Sequence, residues 1–322
     1  MAGPRGERGG SVTAKQDVTP TYEGRPYARP DEELVDQGLQ FDIGTLLSRR
    51  GVLVAGAGAA ALGLAACTNG GGSATGSETT SAAAGDLTEI PQETAGPYPG
   101  DGSNGPDVLA ESGVVRSDIR SSFGGSTTTA EGVRMGIELT LYDMANDNAR
   151  FEGAAVYLWH CDRGGGYSMY SEGVENENYL RGVQVADADG VVAFTSVFPA
   201  CYAGRWPHIH FEVYPDVDAI TDSANAIATS QIALPQDVCE AVYAEEGYEQ
   251  SVENLAQVSL ETDGIFSDDG GESQLATVTG DVAGGYAISL AVGVDTGTEA
   301  AAGGVSGGGG PGGTPPGGGS SG

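Results

Sequence analysis

The chain has 322 residues, 54 of them glycine and 15 proline, and 45 acids against 14 bases give a formal net charge of −31. No Gly-X-Y period is present, which excludes a collagen-type triple helix, and a field of this sign repels phosphate backbones, which excludes nucleic acid as a partner. Aromatic and β-branched residues are plentiful between residues 130 and 295, so a packed domain is expected there.

Residues 1–47 read as a polar leader that lacks the means to pack a core. Ser48-Arg49-Arg50-Gly51-Val52-Leu53 is similar to a twin-arginine export signal. An uncharged apolar run from Val52 to Ala66 follows. It is shorter than the roughly 20 residues that span a bilayer as a helix, so it reads as a signal core and not as a membrane span. The run ends Leu64-Ala65-Ala66-Cys67, which resembles a bacterial lipobox in which the cysteine thiol is lipidated. The signal is thus placed at 48–67, with membrane attachment through Cys67 on the extracytoplasmic face, or secretion. Multi-chain lipidation would hold such a protein stably, where a single acyl chain would not. Residues 68–86 form a Gly/Ser/Thr/Ala tether, and residues 296–322 a Gly/Pro-rich tail.

The folded domain is expected over residues 87–295. Ile137, Leu139 and Leu141 alternate with Glu138, Thr140 and Tyr142, which is a strand pattern. Val156–Trp159, Val183–Val185, Val191–Phe194 and Ile209–Val213 are further runs, and Ala276–Val282 and Tyr286–Val294 join through Ala283-Gly284-Gly285. Short runs separated by Gly and Asp turns predict an all-β fold, an antiparallel β-sandwich with one or two short helices. One helix is predicted near Gln236–Glu246, with Pro235 at its start and Val238, Val242 and Tyr243 on one face. Cys161, Cys201 and Cys239 are an odd set outside the cytoplasm. Cys201–Cys239 is the expected disulfide, although the sequence does not fix the pairing.

Histidine occurs three times, as His160, His208 and His210. In His208-Ile209-His210 a strand places both imidazoles on one face and Ile209 on the other. Two adjacent imidazoles suit a transition metal; a hydrogen-bonded surface pair is the alternative. No His-Glu-x-x-His pattern and no zinc-site cysteine spacing accompanies them.

Two segments carry more. Tyr157-Leu158-Trp159-His160-Cys161-Asp162-Arg163-Gly164-Gly165-Gly166-Tyr167-Ser168 precedes Phe198-Pro199-Ala200-Cys201-Tyr202-Ala203-Gly204-Arg205-Trp206-Pro207-His208-Ile209-His210. Together they resemble the intradiol ring-cleavage dioxygenases, the non-haem iron(III) family of the catechol and protocatechuate dioxygenases. Gln92-Glu93-Thr94-Ala95-Gly96-Pro97-Tyr98 resembles that family's opening element with one residue inserted, and Tyr179–Gln184 resembles the stretch between its two tyrosines. The resemblance spans about Glu89 to Leu234.

The resemblance implies a β-sandwich and a set of Fe(3+) ligands: Tyr167, Tyr202, His208 and His210. Gly164-Gly165-Gly166 would form the turn that delivers Tyr167. Hard phenolate donors favour iron(III) over iron(II), unlike the two-His, one-carboxylate set. By the same resemblance Tyr202 leaves the metal and takes up a substrate proton, Arg205 stabilises negative charge on the ring, and Gln231 bonds the developing intermediate. The implied substrates are a small aromatic diol and O2, and the product a cis,cis-muconate. Tyr170 is the alternative to Tyr167, Tyr98 a pocket or packing residue, and His160 structural. A non-catalytic metal-binding or surface-binding sandwich, and a copper or zinc site on the histidines alone, are the competing readings. The short Tyr202-to-His208 gap trims a substrate-selecting loop. The acidic surface tilts the expectation towards neutral catechols, and the oligomeric state is open.

Overall fold

The computed structural model describes residues 87–297, together with the backbone of Thr21–Tyr22 and Arg25–Pro26, which pair as an antiparallel ribbon. That ribbon apart, the expected leader, export segment and tether, and the tail beyond residue 297, lie outside the described residues.

Strand β1 (Arg134–Asp143) is the centre of the first sheet. It pairs antiparallel with β2 (Ala149–Arg150) and with β5 (Val191–Val197), and parallel with β9 (Gly285–Val294), whose outer neighbour is β8 (Thr277–Asp281). The second sheet runs β4 (Arg181–Val185), β3 (Ala155–Trp159), β6 (His208–Tyr214), β7 (Ala228–Ala233), antiparallel throughout. The expected all-β sandwich is what the described residues form. Strand β7, with Thr229, Ser230 and Gln231 in sequence, has too little apolar alternation to announce itself.

Between the sheets, Ile137, Leu139 and Leu141 of β1 meet Val156 and Leu158 of β3, Phe194 of β5, and Ile209, Phe211 and Val213 of β6. An antiparallel sheet packed on one side leaves its other face in water. Here β3 and β6 are buried on both faces at every residue. Their second face, Ala155, Tyr157, Trp159 and Tyr214, packs with Val108, Leu109, Val114 and Tyr167 in a separate core. The cover is the irregular arm from residue 87 to 133 and the turn after β3. Because side chains alternate along β6, His208 and His210 lie on this second face, beneath the arm.

Helix α1 (Gln236–Tyr243) begins after Pro235 as expected and buries Cys239, Val242 and Tyr243. A second helix, α2 (Glu249–Leu255), turns Ser251 and Asn254 inward to bond the backbone of Cys201. No helix among the described residues is long and apolar enough to cross a membrane. The expected Cys201–Cys239 disulfide is absent: Cys161, Cys201 and Cys239 are all free and buried. Cys161 and Cys201 donate instead to the carbonyls of Ala200 and Arg205, so the thiols serve as small core residues.

Candidate active site

The turn after β3 is organised by Asp162. Its carboxylate accepts the N–H groups of Gly164 and Gly166 and the hydroxyl of Tyr179. Gly165 takes φ +88°, a left-handed conformation that favours glycine, and sits in van der Waals range of Tyr202. The turn then delivers Tyr167, whose N–H is held by Ser171 Oγ at 2.9 Å.

Tyr167, Tyr202, His208 and His210 converge. Tyr202 Oη lies 3.1 Å from His208 Nε2, and His208 Nε2 lies 3.2 Å from His210 Nε2. The Tyr167 ring is 6.0 Å from that of Tyr202 and 6.2 Å from that of His210, centroid to centroid. The Trp206 carbonyl faces His208 Nδ1, so Nδ1 carries the proton and Nε2 presents a lone pair to the cluster. His210 is fixed by stacking flat on Trp159, with centroids 4.9 Å apart and planes 5° apart.

Burial dominates the electrostatics. It pushes both histidines well below their ordinary range, and the Arg205 cation adds to this, so both imidazoles are neutral. It raises the Tyr202 hydroxyl to about 12 against the opposing pull of Arg205, and raises Tyr167 well above its usual value, with Tyr202 adding to the effect. The Tyr167 hydroxyl is buried and makes no hydrogen bond of ordinary geometry. A buried, unpaired hydroxyl costs stability, and a cation that displaces its proton removes that cost. Among the described residues no three His, Cys, Asp or Glu side chains cluster as a metal site, so the anionic donors here are phenols. Two phenols and two neutral imidazoles make a hard, mixed O/N set that fits a trivalent metal ion.

Tyr170 lies elsewhere in the network. Its hydroxyl accepts from the Gly100 N–H at 2.8 Å and donates to Asn104 Oδ1 at 2.7 Å. Tyr98 stacks on Tyr167 at 4.9 Å. His160 is structural, held between the Cys161 carbonyl and Ser196 Oγ, and burial lowers it to about 4. Gly96, at φ +71°, brings the arm backbone against His210: a Cβ there would lie 3.3 Å from His210 Cε1.

Arg205 and Gln231 also meet, with Arg205 Nη2 donating to Gln231 Oε1 at 2.7 Å. Gln231 Nε2 in turn donates to the Thr94 carbonyl at 3.1 Å, which ties the arm to β7. Two further residues escaped the sequence reading. Asp263, fully buried, takes Arg205 Nε at 2.9 Å and the N–H groups of Trp206, Ile265 and Phe266. Burial alone would raise this carboxyl, but the bonds from Arg205 and the backbone hold it below its ordinary range. Arg181, 1% exposed, donates to the carbonyls of Pro99, Tyr98 and Ser168 and to the hydroxyls of Ser168 and Tyr157. It pins the arm and the Tyr167 turn to β4. Beside it, Met169 (φ 71°) and Leu180 (φ 56°) take left-handed backbone, each at a cost of about 1–3 kcal/mol. Asp263 sits in no motif, and Arg181, although it lies within Tyr179–Gln184, carries no sign in the sequence that it is buried.

Tyr167, His208 and His210 are buried, whereas Tyr202 and Arg205 are partly exposed beside exposed Ala203 and Gly204. The site therefore opens on the Tyr202–Arg205 side. Two open surface cavities of about 340 and 410 Å³ gather around Arg163 and include none of these donors.

A protein-family model described as Dioxygenase matches residues 105–213, the span that holds Tyr167, Tyr202, Arg205, His208 and His210. Over that span, about a third of the chain, the sequence is similar to the Dioxygenase family. The fold agrees. An intradiol ring-cleavage dioxygenase from Tetranychus urticae is 24% identical with a TM-score of 0.50, covering 65% of this chain and 95% of that one. The dioxygenase domain of a carbohydrate-binding fusion protein from Streptomyces sp. SirexAA-E is 21% identical with a TM-score of 0.40, covering 65% and 99%. Catechol 1,2-dioxygenase from Acinetobacter sp. ADP1 is 18% identical with a TM-score of 0.35, covering 56% and 58%. No curated protein sequence matches the chain. Arg205, expected to stabilise negative charge, is paired with the Asp263 carboxylate, so its own charge is matched.

Proposed function

We propose that the domain is an extracytoplasmic, non-haem iron(III) dioxygenase that opens the ring of catechol-type aromatics with O2 between the two hydroxylated carbons, giving cis,cis-muconate-type products. The observation that carries this reading is the convergence of two phenols and two neutral imidazoles, one phenol being buried without a hydrogen bond of ordinary geometry. Bound iron(III) would take both oxygens of the diol and make the ring open to attack by O2.

The chain's own residues do the rest. Tyr167, His208 and His210, buried and braced by Ser171, Trp206 and Trp159, are the residues that would hold the metal. Tyr202 stands on the open side, so it is the group free to swing out and, as the phenolate that metal binding would leave, to accept a diol proton at Oη. Arg205, whose charge acts on all four donors, presents N–H groups to negative charge on the ring, in the manner of an oxyanion hole. Gln231, held by Arg205 and Thr94, keeps that guanidinium in place and bounds the ring site. The water-poor face beneath the arm strengthens each of these interactions.

Tyrosinate bound to iron(III) absorbs in the visible, so the purified, iron-loaded protein is expected to be red-brown. Catechol added without O2 shifts that band, and with O2 yields muconate absorbance. A colourless iron-loaded protein, or a band that ignores catechol, overturns the assignment.

The export reading rests on the order of Arg49-Arg50, the apolar run and Leu64-Ala65-Ala66-Cys67. Cys67→Ser is expected to move the protein from the membrane to the soluble fraction of the producing cell. An unchanged membrane fraction removes the lipid anchor.

A further inference from the structure

We infer that Asp263 is a specificity-determining residue: by pairing with Arg205 it cancels the cation that faces the ring site, and so restricts the domain to uncharged catechols. The inference rests on the catechol-cleaving reading above and names the substrate class within it.

The argument is one of charge placement. A catechol that bears a carboxylate needs an unmatched cation where its carboxylate lies. Of the seven arginines that follow residue 67, the charge of Arg205 acts on all four donor side chains and that of Arg181 on His210. Arg181 is 1% exposed, and its guanidinium donates to three carbonyls and two hydroxyls. It lies behind the Tyr167 turn and out of reach of a ligand.

Arg205 is the one that faces the open side. Its Nε is bonded to a carboxylate with no solvent exposure, and its Nη2 to Gln231. Asp263 in turn is held in place by the N–H groups of Trp206, Ile265 and Phe266, so its carboxylate stays where it meets the guanidinium. The same flank carries a further acid. Glu93, the residue inserted in the opening element, is half-buried and feels both Arg205 and Asp268. The guanidinium is thus left as a directional donor with its net charge matched. A donor of that kind serves charge that develops on the ring, and a substituent's fixed negative charge gains little from it.

The acidic surface disfavours anions as well, and ionic strength separates the two effects. At about 0.5 M salt the screening length is only a few ångströms, so exposed charges drop out while a buried pair persists.

The test is anaerobic titration of the iron(III)-loaded protein with 4-methylcatechol and with 3,4-dihydroxybenzoate, which differ chiefly in the charge of one substituent, read from the visible band. At high salt the neutral diol is expected to bind at least about tenfold more tightly, and Asp263→Asn, whose amide oxygen keeps the bonds from Ile265 and Phe266 while giving up that from Trp206, to narrow that ratio by about tenfold. Equal affinities in the unaltered protein at high salt overturn the inference whether or not the variant folds. A folded Asp263→Asn protein, judged by circular dichroism and melting, with an unchanged ratio overturns the role of Asp263. A band that responds to neither diol overturns the catechol reading and this inference with it. A band that responds to both with equal affinity overturns the inference alone.

Discussion

Tyr167→Phe is expected to abolish iron retention while making the metal-free protein more stable. The two effects have one cause. The Tyr167 hydroxyl is buried beside that of Tyr202 but makes no hydrogen bond of ordinary geometry, and burial holds its proton on tightly. In the metal-free fold that group is a liability of about 1–3 kcal/mol, and phenylalanine removes it with little change of shape. For a domain of this size the gain is about 2–4 °C in melting temperature per kcal/mol. With metal the sign reverses, because the variant lacks an anionic oxygen from a set of two. Iron content is expected near zero and turnover lower by at least about a thousandfold.

Tyr202→Phe differs in kind. It removes a hydroxyl that already faces His208 Nε2 at 3.1 Å, so no gain in stability follows. It is expected to bleach part of the colour and slow turnover while Tyr167 and the histidines still hold iron. Tyr170→Phe is the control, since its hydroxyl is engaged with Gly100 and Asn104. Iron per chain and melting of the metal-free protein check all three. Full iron content in Tyr167→Phe, or loss of it in Tyr170→Phe, overturns the ligand set.

The sequence shows β1, β3, β5, β6 and β9 because each carries apolar alternation or an apolar run, and a strand's period of two reads directly as a face. The same period places His208 and His210 together. What alternation cannot show is that β3 and β6 are covered on both faces, because the cover comes from an arm with no regular structure. The tyrosines were legible only through their neighbours: Tyr167 and Tyr170 stand three residues apart, and nothing in either side chain separates them. The structure separates them through the partners each hydroxyl finds. Asp263 was out of reach altogether. It follows Thr262 and precedes Gly264, which reads as a turn, and its partner lies 58 residues away. In a chain with 45 acids no count distinguishes the one acid that is buried. The disulfide expectation failed for a related reason: an oxidising location permits a bond between thiols but does not supply the approach geometry.

Arg205→Leu carries the second large effect, in stability and catalysis together. Loss of the guanidinium leaves the Asp263 carboxylate fully buried, with backbone N–H groups as its remaining partners. Breaking a buried pair from one side costs about 3–5 kcal/mol, and the lower end applies here because the Arg205 side chain is 20% exposed. Turnover is expected to fall by about a hundred- to a thousandfold, the usual loss when a donor to developing charge is removed. These losses separate in the double variant Arg205→Leu/Asp263→Asn. Removing the stranded charge restores much of the stability, because the penalty lay in the unmatched carboxylate and not in the missing contact. It restores none of the turnover, because the donor to the ring is still absent. Denaturant melts and single-turnover rates on the two variants check this. Full stability of Arg205→Leu alone means that Asp263 tolerates burial without its partner. Recovered turnover in the double variant means that Arg205 acts through Asp263 and not on the ring.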